Sequence, residues 1–482
     1  MSIHSIEEPG AARAARDRRR WVGLFVMLAG TMLSPIDFFI VVVAMPTIRA
    51  DLHAGGEAVQ LIIAGYSVAY AVLLVTGGRL GDLYGRKRVF LAGVAGFGLA
   101  SLLCGVAPDV PWLVVARVVQ GGFAAILMPQ SLALIRATFP EEERPRALGL
   151  HAATFGLGAV VGQLMSGVLI AANPAGLGWR SIFLVNLPAV AVILPLAMLL
   201  LRENRDPNPR RLERRGVVLL TLALLALIVP LVEGRGHGWP GWCLALLAAC
   251  PGLLLLFWRH ERGVAAKGGD PLVSPGLLAE PGLGRGLAAG LIYNVFASFF
   301  LIFAAYQQGA LHHDALRTSL AILPLGLGFA AGPWALVRLV AHTRRPATLA
   351  LLWLAGALLC SALAALAGRA WLMGLALFAI GIGQGLALPS LLRAITDRVD
   401  ASRAGMAAGL ASSALQVGGS LGVAVVGGLF FALVGGVGDP AAATRAFVVG
   451  AASIALAAFA AAALVDGEHP ARPGPSPQGS RS

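Results

Sequence analysis

Residues 78–88 read Gly78-Arg79-Leu80-Gly81-Asp82-Leu83-Tyr84-Gly85-Arg86-Lys87-Arg88, five charges and three glycines in eleven positions. Apolar runs flank them on both sides, at 58–78 and 88–107. A bilayer core roughly 30 Å thick needs about 20 apolar residues in helical form. Lipid offers the backbone no hydrogen-bond partner, so runs of this kind must be helical. The charged stretch therefore reads as a short loop at a membrane surface, joining two spanning helices.

The same alternation continues outward in both directions. It predicts spans at 21–46, 58–78, 88–107, 112–135, 147–171, 181–201, 216–233 and 241–258, then at 285–310, 316–337, 347–367, 371–392, 405–433 and 446–465. Only 13% of the chain is charged and 57% is hydrophobic, where a soluble protein carries roughly 25% charged residues. The fold class is an all-α membrane protein with fourteen transmembrane helices.

Positively charged loops stay on the cytoplasmic side. With the N-terminus inside, 30 of the 37 Lys and Arg fall on inner loops or tails, and no outer loop holds more than one. Arg117 is left inside a span. An odd number of helices would place the second half's charges on the wrong face, so both termini are expected in the cytoplasm of a cell (inner) membrane. The net charge of +13 is thereby a topological signal. Nucleic-acid binding would want it gathered on one folded face. The four cysteines all lie within spans and form no CxxC pair. No phosphate-binding loop is present, and Gly381-Ile382-Gly383-Gln384-Gly385 sits mid-helix, where close helix packing is its reading.

Pro129, Gly158, Gly162 and Gly167 have counterparts at Pro389, Gly418, Gly422 and Gly427, each 260 residues later. Internal repeats around a midplane site are common in transporters. The offset divides the chain into a cytoplasmic tail (1–20), a six-helix bundle (21–201), a basic connector (202–215) and two additional helices (216–260). A cytoplasmic linker (261–284), a second six-helix bundle (285–466) and a disordered tail (467–482) follow. Gly158, Gly162, Gly418 and Gly422 read as small-residue packing faces, with Gly167 and Gly427 continuing them.

Residues 78–88 resemble the signature loop of the major facilitator superfamily, and Arg117-Val118-Val119-Gln120-Gly121 resembles its fourth-helix motif. Asp37 to Pro46, Trp179-Arg180, Phe183 to Pro188 and Tyr306-Gln307-Gln308-Gly309 with Pro324 are similar to the fourteen-helix drug:proton antiporters of the EmrB/QacA type. The resemblance covers nearly the whole chain. It implies two rocking bundles, alternating access and proton-coupled export of small hydrophobic or cationic compounds by a monomer, with the proton gradient as energy source and no cofactor. The family's fifth-helix motif has Gly-Pro and Gly-Gly pairs; here Gly162 precedes Gln163, and Ser166 precedes Gly167. That departure keeps a proton-coupled importer in view. A membrane-embedded enzyme would need a cluster of His, Asp or Cys at helical spacing, and no metal-ligand set of that kind stands out.

Asp37 reads as the only carboxylate well inside a span, and Arg117 as the only buried cation. An ionisable group within the bilayer is costly and marks function. Counting residues from the outer helix ends puts the two within about a turn of each other in depth. Asp37 either carries the coupling proton or meets a cationic substrate, with Arg117 tuning it, or the two form a fixed structural pair. In the loop, Gly78, Gly81 and Gly85 allow close approach. Asp82 is placed to accept N–H bonds from a helix end or to pair with Arg86, Lys87 or Arg88, in a contact present in one access state; Arg79 belongs to the same gating loop. Tyr66, Gln120, Asn294, Tyr306, Gln307, Gln308, Gln384 and Gln416 are candidate cavity-lining residues or interhelical glue. Trp112, Trp179, Trp239, Trp242 and Trp371 fall near outer ends, where an interfacial belt is expected.

Overall fold

The structure is a computed structural model and describes residues 10–54, 56–205, 213–234, 238–343, 345–399, 404–434 and 439–466. The tail 467–482 and the middle of the connector lie outside these. Among the described residues every regular element is helical. The first six long helices are α1 (Gly10–Asp51), α2 (Gly56–Tyr84), α3 (Arg86–Gly105), α4 (Val110–Thr138), α5 (Arg144–Ala172) and α6 (Gly178–Leu200). Two more follow, α7 (Arg214–Glu233) and α8 (Gly241–Ala266). The last six are α9 (Leu283–Gly309), α10 (Ala315–Ala321 with Leu323–His342), α11 (Pro346–Ala367), α12 (Ala370–Thr396), α13 (Ala404–Gly422 continuing to Val434) and α14 (Pro440–Asp466). Among the described residues thirteen are long and apolar enough to cross a membrane, and α2, bent by 51° between Leu74 and Thr76, makes fourteen when its two parts are counted as one span.

Two boundaries differ from expectation. Helix α1 is already helical at Gly10, well before residue 21, because the Ala- and Arg-rich stretch before Trp21 has good helix formers and no Pro to stop it. Helix α8 runs to Ala266 rather than ending near 258, since Trp258–Arg262 holds no Pro or Gly. The apolar run ended there, but the helix did not. Glu261 is thereby carried on a helix and fully buried, so Asp37 is not the only buried carboxylate in the helices.

Close approach of backbones organises both halves in the same way. A Cβ on Gly162 would fall 2.4 Å from the Ile36 carbonyl oxygen, and one on Gly158 would fall 2.7 Å from Pro35, so α5 lies directly on α1. In the second half a Cβ on Gly418 would sit 1.9 Å from the Leu291 oxygen and one on Gly422 2.7 Å from Val295, pressing α13 onto α9. Gly121 meets the Tyr66 carbonyl between α4 and α2, and Gly381 meets that of Leu325 between α12 and α10. Gly427 faces Leu301 within a π-helical segment of α13, Val423–Gly427. Segments of that kind recur at functional sites.

Helices α7 and α8 pack on each other, and α7 bridges the halves. Its Leu224 and Ile228 join Ala71 and Val72 of α2, with Val417 of α13 against them. Helix α8 leaves Leu244, Leu254, Leu255 and Leu256 exposed, as a lipid-facing helix must.

The signature loop docks on the end of α6. The first three N–H groups of α3 point at residues 203 and 204: Arg86 N–H donates to the Asn204 carbonyl (3.1 Å), Lys87 N–H to Glu203 Oε1 (3.0 Å) and Arg88 N–H to Glu203 Oε2 (3.2 Å). A carboxylate at a helix N-terminus satisfies orphan donors and meets the positive end of the dipole. Gly85, at φ +100°, turns the chain into this position; a Cβ there would strike the Glu203 carboxylate. Asp82 instead pairs with Arg86 (3.1 Å), and Lys87 Nζ donates to the Met198 carbonyl (2.6 Å). Arg79 donates to the Pro271 carbonyl (2.7 Å) in the linker after α8. The helix-capping carboxylate is therefore Glu203 and not Asp82. Glu203→Ala should cost about 1 kcal/mol, the usual loss of an N-terminal cap, and lower the thermal unfolding midpoint of the purified protein. An unchanged midpoint would show the cap to be idle.

Candidate functional site

Five helices of the first half converge on one carboxylate. Asp37 (α1) and Arg117 (α4) are both wholly buried, and Arg117 Nη1 donates to Asp37 Oδ2. Asp37 Oδ1 accepts from Gln120 Nε2 (2.8 Å) and from Asn186 Nδ2 of α6 (3.0 Å). Those two amides also reach the Ser101 hydroxyl of α3, at 2.9 and 2.8 Å. Arg117 donates further to Gln120 Oε1 (2.7 Å) and to the Ile62 carbonyl of α2 (3.3 Å). Its guanidinium lies 4.3 Å from the centre of the Tyr66 ring, a cation–π arrangement that strengthens once water is excluded. Arg117 Nη2 is buried with no partner.

A buried ion pair persists only where its remaining donors and acceptors are met. Here the carboxylate's are met and one guanidinium nitrogen is left over. The depth match between Asp37 and Arg117 read from the sequence is direct contact in the structure. Asn186 and Ser101 complete the set; Asn186 lies in the 183–188 stretch noted in the sequence, where nothing signals that it reaches Asp37, and Ser101 carries no sequence signal of its own.

Tyr66 stands between this network and the middle of the protein. Its hydroxyl bonds Ser34 Oγ (2.8 Å). The same ring lines a central cavity of about 40 Å³, together with Ser34, Phe38, Tyr70, Asn294 and Gln416. The cavity thus lies between α1 and α2 of one half and α9 and α13 of the other. At about 100° per residue, the α1 positions on its wall (34, 35, 38 and 39) share a face from which Asp37 points away. A second cavity of about 30 Å³ lies beside it, lined by Gly156, Tyr293, Asn294, Phe329 and Gln384, with Tyr293 OH donating to Gln384 Oε1. Each holds a few waters at roughly 10–15 Å³ apiece. A drug-sized compound needs about 300 Å³ or more, so this conformation presents a collapsed chamber.

Of the candidate lining residues, Tyr66, Asn294, Gln384 and Gln416 stand on these walls. Four do not. Gln120 belongs to the Asp37 network. Tyr306 stacks on Phe447 within the second half, centroids 4.6 Å apart. Gln307 bonds His313 (3.0 Å), and Gln308 Nε2 donates to the Val43 carbonyl (3.4 Å). They sit about a turn too close to the end of α9. Trp179 is likewise no belt residue: it is 1% exposed and its indole N–H donates to Asp51 (2.8 Å). Trp112, Trp239, Trp242 and Trp371 are exposed.

At the end opposite the signature loop the two halves are sewn together. Gly167 of α5 lies against Ala315 and Ser319 of α10, and Ser319 Oγ donates to the Gln163 carbonyl (2.6 Å). Val42 and Val43 of α1 pack on Ala304 of α9. The side chains of Gln163, Ser166 and Thr318 are fully buried along this region, with polar atoms that meet no partner.

A protein-family model for the Major Facilitator Superfamily matches residues 27–423. The chain belongs to the major facilitator superfamily. Its superfamily relatives include the probable actinorhodin transporter of Streptomyces coelicolor, 37% identical, the match covering 86% of this chain and 73% of that protein. The puromycin resistance protein pur8 of Streptomyces alboniger is 38% identical, over 88% of this chain and 84% of that one. The drug efflux pump JefA of Mycobacterium tuberculosis is 34% identical, over 84% and 79%. Among solved structures, a bacterial homologue of the human lysosomal transporter Spinster, inward-facing and unoccupied, superposes with a TM-score of 0.60. It is 16% identical and the match covers 93% of this chain and 96% of that one. The protein is thus a multi-pass membrane transporter of the superfamily and not an enzyme.

Proposed function

We propose that the protein is a proton-coupled exporter of small hydrophobic or cationic organic compounds, of the fourteen-helix drug:proton antiporter type. It works by alternating access as a monomer with both termini in the cytoplasm, and it uses the proton gradient without a cofactor. The observation that carries this reading is the Asp37–Arg117 pair, buried in the first half and separated from the central cavity by the Tyr66 ring. A buried carboxyl group that can be neutralised by a proton is what coupling requires. Since Asp37 faces away from the cavity, it serves as the proton site, and substrate is met by Tyr66, Phe38, Asn294 and Gln416. The resistance and efflux proteins among the relatives support export.

The test is transport by purified protein in liposomes under an imposed pH gradient, across a panel that includes puromycin and a lipophilic cation. Antiport concentrates the compound on the acidic side. Accumulation on the alkaline side would instead establish an importer, and transport indifferent to the gradient would remove proton coupling altogether.

A further inference from the structure

Where α7 begins and α8 ends, three side chains with metal-ligating atoms meet. Glu213 precedes α7 and caps it, accepting the Gly216 N–H. His260 and Glu261 are neighbours near the end of α8. One ligand atom from each lies within 4.8 Å of the others. Glu261 is fully buried, and only half of its carboxylate is accounted for: Oε2 accepts the Val273 N–H (2.8 Å), while Oε1 is buried and meets no donor. That orphan oxygen is aimed into the cluster, since a Cβ on Gly216 would fall 2.4 Å from it and 2.7 Å from Glu213 Oε2. His260 Nε2 lies 3.0 Å from Glu213 Oε1, a pair when the imidazole is protonated, but off the line a hydrogen bond needs. A buried carboxylate oxygen without a donor, beside an imidazole and a second carboxylate, leaves a negative cluster that a cation fills.

We propose that Glu213, His260 and Glu261 bind a divalent transition-metal cation of the zinc class. One imidazole and two carboxylates suit such an ion, which takes nitrogen and oxygen at about 2.0–2.2 Å and leaves its fourth position to water. Tetrahedral ligands at that bond length stand roughly 3.4 Å apart, so the widest separation in the set must close by up to about 1.4 Å. His260 and Glu213 are each about one-fifth exposed, which gives them freedom to move and the ion a way in.

The site has a mechanical consequence. Val273, held by Glu261, follows Pro271 and Leu272, whose carbonyls receive Arg79 of the signature loop at 2.7 and 3.5 Å. A bound ion would join α7 to α8 and fasten the linker that grips the gating loop.

The test is equilibrium dialysis of tag-free, chelator-treated protein in detergent against Zn2+, with metal counted per chain. The comparison is with His260→Ala and Glu261→Gln, each checked for folding by size exclusion. Wild type should hold one more Zn2+ than either variant, with at least tenfold tighter binding and a raised unfolding midpoint that neither variant shows. His312, His313 and Cys360 are present in all three, so binding there cancels. If Glu261→Gln does not fold, Glu213→Gln and His260→Ala carry the comparison. Equal stoichiometry in wild type and variants overturns the site. So does a Glu261→Gln protein stabilised without metal, which would mean that the two carboxyl groups share a proton instead. Neither readout depends on transport.

Discussion

Asp37→Asn is expected to reduce pH-gradient-driven transport in proteoliposomes to the level of protein-free vesicles. The amide keeps the shape of the carboxylate but can neither ionise nor take up the coupling proton. That variant alone is ambiguous, because it leaves Arg117 charged, buried and unpaired, and breaking a buried pair from one side costs about 3–5 kcal/mol. The double variant Asp37→Asn/Arg117→Gln removes both charges, and replacing a whole buried pair is often close to neutral. If Asp37 carries the coupling proton, the double variant folds, binds compound and lets it equilibrate, yet cannot concentrate it against a gradient. If the pair is only structural, the double variant pumps. Gradient-driven accumulation by the double variant would therefore sink the proposal, whatever the single variant does.

The second large effect is on folding. Gly418→Ala should abolish the monodisperse peak of the protein in size exclusion. The added methyl would sit 1.9 Å from the Leu291 carbonyl oxygen, and what it meets is the backbone of α9, not the flexible end of a side chain. Overpacking typically costs 1–3 kcal/mol, more when backbones must part, and α13 would have to separate from α9 along its length. Gly356→Ala on α11 is the control: it is exposed and nothing lies within 4 Å of its Cβ. It should behave as wild type. Equal behaviour of the two variants would mean that the α9–α13 contact tolerates far more slack than the geometry shows.

How far each feature was legible follows from what kind of signal it left. Helices announce themselves through twenty-residue apolar runs, and the paired glycines through their common 260-residue spacing. Asp37 and Arg117 stand out because charge inside a bilayer is rare. Their contact could be anticipated from depth alone, as each lies on a helix of known direction. What stayed hidden depends on which faces meet. Asn186 and Ser101 close the network, and Glu203 caps α3, through contacts more than 80 residues apart in the chain. Glu261 was concealed differently: hydropathy marks where a helix leaves the membrane, not where it ends. Tyr306 and Gln307 are open to two readings, cavity wall or glue, and depth alone does not choose between them: their side chains are spent on Phe447 and His313 within one half.

Every group that touches Asp37 or Arg117 rides on α1, α2, α3, α4 or α6. In the proposed alternating-access cycle, rocking one half against the other would carry the whole assembly along as cargo and break none of its bonds. Driving a two-state equilibrium from 1:99 to 99:1 requires a ligand, the proton in that proposal, to prefer one state by about 10⁴, or roughly 5.5 kcal/mol. Contacts that never change cannot provide that preference. On the proposed mechanism it would come from the far side of the Tyr66 ring, where that ring lines the cavity shared with α9 and α13. On that mechanism a single aromatic ring, Tyr66, is the dielectric shutter between the proton site and the cargo.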